Sequence, residues 1–137
     1  MSEVINIHKG DIAIQLLKDA RQLYNDQHYF SAINLAGAAS EILCTLCELD
    51  QNSSPHKELK KALNELYTSN KWMSSPEKML KDFYWAKNAT KHLSGIRDTS
   101  IVINPKIRAC LLINQAARAA QNLNVTDNFE VEYESKS

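Results

Sequence analysis

Residues 29–49 read YFSAINLAGAASEILCTLCEL. Apolar and small side chains occupy almost every direction of a helical wheel through this stretch, the pattern of a helix buried on most of its circumference. Such a helix is the central element of a bundle, and the rest of the chain has to supply the helices that cover it. Gly37 stands between Ala36 and Ala38-Ala39, where glycine costs about 1 kcal/mol relative to alanine in mid-helix. Close approach of a neighbouring helix is the compensation the sequence leads one to expect there.

The covering helices announce their starts. All three prolines follow Ser or Asn, as Ser54-Pro55, Ser75-Pro76 and Asn104-Pro105. A Ser or Asn side chain accepts a bond from a free backbone N–H of the first turn, and proline gives up an N–H that lacked a helical partner. None completes a capping box, because the third residue after each cap is Lys57, Lys78 or Ile107. These signals predict helices over residues 55–67, 76–93 and 105–123, in addition to 11–27 and 29–49. Ile12, Leu16, Ala20, Leu23 and Tyr24 form the expected inward stripe of the first, and Leu59, Leu63 and Leu66 that of the third. Gly95 is the expected stop after the fourth helix, and Ile101-Val102-Ile103 an extended lead-in to the last. The fold class expected is all-α: a single antiparallel bundle of about five helices over residues 11–124. An acidic arm over 125–137 follows, where Phe129, Val131 and Tyr133 alternate with Glu130, Glu132 and Glu134.

Composition narrows the function classes. The 137 residues include only three Gly and three Pro, too few for the turns of an all-β sandwich. Charged residues interrupt every long apolar run, and the N-terminus lacks a basic stretch followed by an apolar core. Neither a membrane span nor a secretory signal is therefore expected. An odd number of cysteines, three, suits a reducing, cytoplasmic setting better than a disulfide framework. Sixteen basic and sixteen acidic residues cancel, but unevenly: residues 1–50 carry −4, residues 57–118 carry +7 and residues 119–137 carry −3. Segments of a bundle can differ in this way and simply attract one another. The middle stretch can equally face an anion such as RNA phosphate.

Motif chemistry is sparse. Cys44-Thr45-Leu46-Cys47 matches C-x-x-C, yet no second pair completes a zinc site, and within so apolar a helix cysteine acts as a small hydrophobe. No metal and no cofactor is expected. His8, His28 and His56 have no partner at an informative spacing, and no phosphate loop or metalloprotease motif is present. The fourth helix stands apart. With Met79, Phe83, Ala86, Thr90 and Leu93 as its inward stripe, the opposite face gathers Lys81, Tyr84, Trp85, Asn88 and His92. Either the aromatics pack on a loop or the N-terminal arm, or a partner subunit or ligand covers them. His92 beside Asn88, flanked by Lys87 and Lys91, has the parts for acid–base work on a phosphodiester: a proton carrier, an amide and cations.

Lys87-Asn88-Ala89-Thr90-Lys91-His92 resembles the signature of the HEPN superfamily (higher eukaryotes and prokaryotes nucleotide-binding), an Arg followed after four to six residues by His, often with a polar residue after the Arg. YFSAINLAGAASEIL and IVINPKIRACLLINQAARAAQNL are similar to the buried second helix and the final helix of bacterial members, so the resemblance spans about residues 11–123. It implies a helical homodimer whose motif residues share a cleft, with Tyr84 and Trp85 at the interface. It also implies RNA as the partner, and in many members metal-independent endoribonuclease activity in toxin–antitoxin or phage-defence roles, with an antitoxin protein as a further partner. Carried over by position, His92 becomes the acid–base residue, Asn88 the motif's polar residue and Lys87 the occupant of the Arg position, with Lys81 and Lys91 as phosphate holders. Lysine offers one compact charge where arginine offers a planar fork. The alternative is therefore a catalytically inactive helical module for dimerisation or partner binding.

Overall fold

The structure, a computed structural model, describes residues 3–70, 72–92, 95 and 99–124. Five helices account for its regular structure: α1 (Lys9–Asn25), α2 (Tyr29–Gln51), α3 (Pro55–Ser69), α4 (Pro76–Ala89) and α5 (Pro105–Asn122). Among the described residues there is no strand, so the fold is an all-α bundle. The three Pro-marked starts behave as the capping argument requires. The side chains of Ser54, Ser75 and Asn104 accept from the backbone N–H groups of Lys57, Lys78 and Ile107 respectively. At α1 the cap is His8, whose Nδ1 accepts from the Gly10 N–H at 2.9 Å. Residues 101–104 lead into α5 without strand pairing, and the acidic arm, residues 125–137, lies outside the described residues.

The core is a three-helix unit. α2 packs along α1 on one side and α5 on the other. α2 and α5 run in the same direction, as successive bonds from Ser40 to Gln115, Cys47 to the Ala119 carbonyl and Gln51 to the Asn122 carbonyl show. Its seam is built from small residues: Ala13 and Ala20 on α1, Ala32, Ala36 and Ala39 on α2, and Ala109, Ala116, Ala119 and Ala120 on α5. Leu17, Ile33, Leu43 and Leu112 fill the spaces between layers and are almost fully enclosed, each contributing about 1.5–3 kcal/mol by leaving water.

Small residues at the seam also correct the expected stripe of α1. Ala13, Leu17 and Ala20 are its inward residues, whereas Ile12 is exposed and Leu16 only partly buried. The seam follows the residues that let backbones approach, not the bulkiest ones. On α3, Leu63 is buried as expected but Leu66 is half exposed.

α2 is also the one described helix long and apolar enough, by length and composition, to cross a membrane, although the charges within it argued otherwise from sequence. Half of its most apolar window is buried inside the bundle, as befits a core helix.

α3 and α4 form an antiparallel pair laid along α2 and α5, with bonds from Asn34 to Glu48 on α2 and from Arg108 to Arg118 on α5. α4 ends four residues earlier than its apolar pattern suggested. The Thr90 hydroxyl donates to the Ala86 carbonyl at 2.8 Å, a local bond that competes with continuation of the helix. Gly95, the expected stop, therefore lies well beyond the helix end.

Candidate functional site

Between α2 and α4, closed at its ends by α3 and α5, lies a cleft of about 700 Å³. α2 contributes one face at helical spacing: Gly37, Ser40, Glu41, Cys44, Thr45 and Glu48. α4 contributes Leu80, Lys81, Tyr84, Trp85, Lys87 and Asn88, while α3 adds His56 and α5 adds Gln115.

α4 keeps Phe83 and Ala86 of its expected stripe against the core and turns a wider face inward than that stripe predicts. Ala86 and Lys87 are the buried residues of its second half, and Tyr84 and Trp85 pack partly against the core cluster. Gly37 is the reason. A Cβ placed there would meet the Cβ and Cδ of Lys87 at 3.1 Å, so only glycine leaves room for the lysine stem at its present distance. The expected close approach at Gly37 thus occurs, and what approaches is a lysine side chain. Lys87 is 8 % exposed. Its ammonium is bonded to the Glu41 carboxylate and lies 5.4 Å from the centre of the Tyr84 ring.

The floor of the cleft is a chain of polar bonds. The Ser40 hydroxyl donates to Gln115 Oε1, and Gln115 Nε2 donates to the Tyr84 hydroxyl at 2.8 Å. The Tyr84 oxygen lies 2.7 Å from His56 Nδ1. With Gln115 donating to the phenol oxygen, the phenol proton is free for Nδ1, which in the neutral imidazole leaves the ring proton on Nε2. Among the described residues no buried side-chain nitrogen or oxygen lacks a partner. Burial raises the pKa of the Tyr84 phenol, opposed by the bond from Gln115. Burial likewise raises that of the Cys44 thiol, opposed by hydrogen bonds from the His56 backbone and Ser40. Both groups are held in their protonated, uncharged forms.

The residues singled out from the sequence divide between two places. Lys81, Tyr84, Trp85, Lys87 and Asn88 come together in the cleft. His92 and Lys91 do not: both follow the end of α4, are exposed, and are absent from the cleft wall. A turn of backbone bonds, from the N–H groups of Lys91 and His92 to the Asn88 carbonyl at 3.1 and 3.2 Å, keeps them next to α4. Tyr84 and Trp85 are half-buried in the single chain, not displayed on a solvent face as the helical wheel placed them. Trp85 carries Arg108 5.6 Å from its ring centre, and Arg108 also donates to the Asp82 carbonyl.

Sequence reasoning passed over His56, Glu41, Ser40 and Gln115. The signal for His56 was its place in a capped first turn. The other three sit at helical spacings that mark position on a face but say nothing of what lies opposite. Among the described residues no group of three His, Cys, Asp or Glu is arranged to hold a metal ion. No family model, curated protein or solved structure matches the chain.

Proposed function

We propose that this chain is a HEPN-like RNA-binding module, acting as a homodimer, in which binding rather than strand cleavage is the operative step. The observation that carries this is the placement of Lys87. A motif cation that is buried and already bonded to Glu41 has to break that bond before it meets a phosphate, and the acid–base candidate His92 stands outside the cleft that holds it. Exposed lysines remain for backbone contact, Lys60 and Lys61 on α3 and Lys78, Lys81 and Lys91 on or just after α4. Phosphate contacts of this kind bind without sequence readout and weaken steeply with salt.

The test is a filter-binding titration of labelled single-stranded RNA at several salt concentrations in EDTA, with light scattering alongside. Binding that falls with salt and drops several-fold in the Lys81→Ala/Lys91→Ala double variant supports the reading; salt-insensitive binding or none removes it.

A metal-independent endoribonuclease, in a toxin–antitoxin or phage-defence role, is the second reading. It is favoured by the backbone turn that holds His92 beside Asn88 on an exposed surface, where a second subunit could complete a site. RNA cut by the wild type and spared by His92→Ala establishes it. RNA equally intact with both leaves binding alone.

A further inference from the structure

Three of the four charged residues lining the cleft already have a partner, and the fourth, Lys81, is exposed to water. Glu41 holds Lys87, and Glu48 accepts from the Ser54 hydroxyl at 2.6 Å, beside the first turn of α3. The polar floor is saturated by its own bonds, from Ser40 through Gln115 to Tyr84 and His56. What faces the 700 Å³ of space is then mainly apolar: Leu80, the Trp85 ring, the Cys44 thiol and the stem of Lys87 against Gly37. Besides the exposed side chains of Lys81 and Asn88, one half-buried polar group remains open. His56 has its Nδ1 engaged by Tyr84 and its Nε2 without a partner among the described residues, on a residue that lines the cleft. Clefts of about 300–1,000 Å³ with apolar walls and a few placed polar groups are where small molecules bind.

We propose that this cleft binds an uncharged, mainly apolar small molecule bearing one hydrogen-bond acceptor, such as an aryl or acyl ketone, with its carbonyl oxygen accepting from His56 Nε2–H. A net charge on the ligand is disfavoured because Glu41, Glu48 and Lys87 would have to leave existing partners to meet it, while the exposed Lys81 is solvated and returns little for the water that a buried charge gives up. The proposal does not rest on RNA binding; of the lysines named for phosphate contact only Lys81 also lines the cleft.

The test uses the full chain and 6-propionyl-2-(dimethylamino)naphthalene, an uncharged naphthyl ketone whose emission shifts to the blue on leaving water. Saturable one-to-one binding is expected. Filling the space from either wall, with Thr45→Trp on α2 or Leu80→Trp on α4, abolishes it while helical circular dichroism is unchanged. Losing the donor in His56→Ala weakens binding about fivefold, as befits one neutral hydrogen bond. Three results overturn the proposal. They are no saturable binding to the wild type, binding that both tryptophan variants retain, or tighter binding of the anionic 1-anilinonaphthalene-8-sulfonate. A signal that falls as protein concentration rises, with light scattering reporting a dimer, also overturns it and gives the cleft to a second copy of the chain.

Discussion

The α1–α2–α5 unit and the α3–α4 pair are held by opposite means. In the first, alanines bring backbones together and enclosed Leu and Ile side chains fill the gaps, so contact is continuous and apolar. The second is attached in large part through polar bonds: Ser54 to Glu48, Gln115 to Tyr84, Lys87 to Glu41 and Arg118 to Glu58. On α3 only Pro55 and Leu63 are buried. Apolar seams resist change because every void is felt. Polar attachments are individually modest, and the cleft lies where the two kinds of attachment meet.

Breaking the comparison begins with the core. Leu43→Ala is expected to cost about 2–5 kcal/mol, whereas Leu66→Ala on the half-exposed side of α3 should cost less than about 1 kcal/mol. Urea midpoints for the two variants check this. Equal losses would mean that α3 belongs to the same cooperative core. Tyr84→Phe comes next. It leaves Gln115 without its acceptor and frees His56, at about 1–3 kcal/mol. Hydrogen exchange should show the loss concentrated in α3 and α4, not spread over α1.

Alkali sharpens the same contrast from the side of the core. Cys47, enclosed between α2 and α5, has its pKa pushed up to about 11, first by burial and then by nearby Cys44 and carboxylates. The unfolded thiol releases its proton near 9, so the folded state holds a proton that the unfolded state has lost. Stability is therefore full below about pH 9 and declines between about 9 and 11. The Tyr84 phenol, also raised, extends the decline on the alkaline side. A urea midpoint that is flat from pH 7 to 11 would contradict both. Arg118→Ala has the smallest effect expected: its bond to Glu58, 2.8 Å long between two largely exposed side chains, is worth about 0–1 kcal/mol. A loss above that range would show that α3 depends on this one attachment.

Much of the bundle was legible because helix starts and the buried helix are local events. A Ser-Pro or Asn-Pro pair carries its own cap, and the apolar run 29–49 marks the helix against which α1 and α5 pack. Rotation was less legible. The expected stripes placed Ala20 and Ala86 correctly, while packing also followed Ala13, Leu17 and the groove at Gly37 that receives Lys87. That difference turned the face of Tyr84 and Trp85 from solvent into a cleft wall. The candidate site suffered most: α4 stops at Ala89, and Lys91 and His92 beyond it stay next to Asn88 but outside the cleft that holds Lys87. Glu41, the partner that decides what Lys87 can do, is 46 residues away in sequence. No motif in one stretch of chain could point to it.

Positions 37, 41 and 87 form a linked triple across α2 and α4. A larger residue at 37 meets the lysine stem, an uncharged one at 41 leaves the ammonium without its counter-ion, and Arg at 87 must thread a broad planar head through a slot cut for a linear one. Substitutions at these three sites should therefore be strongly non-additive. A Lys87→Arg chain should need companion changes at 37 or 41, so related sequences should vary at the three sites together.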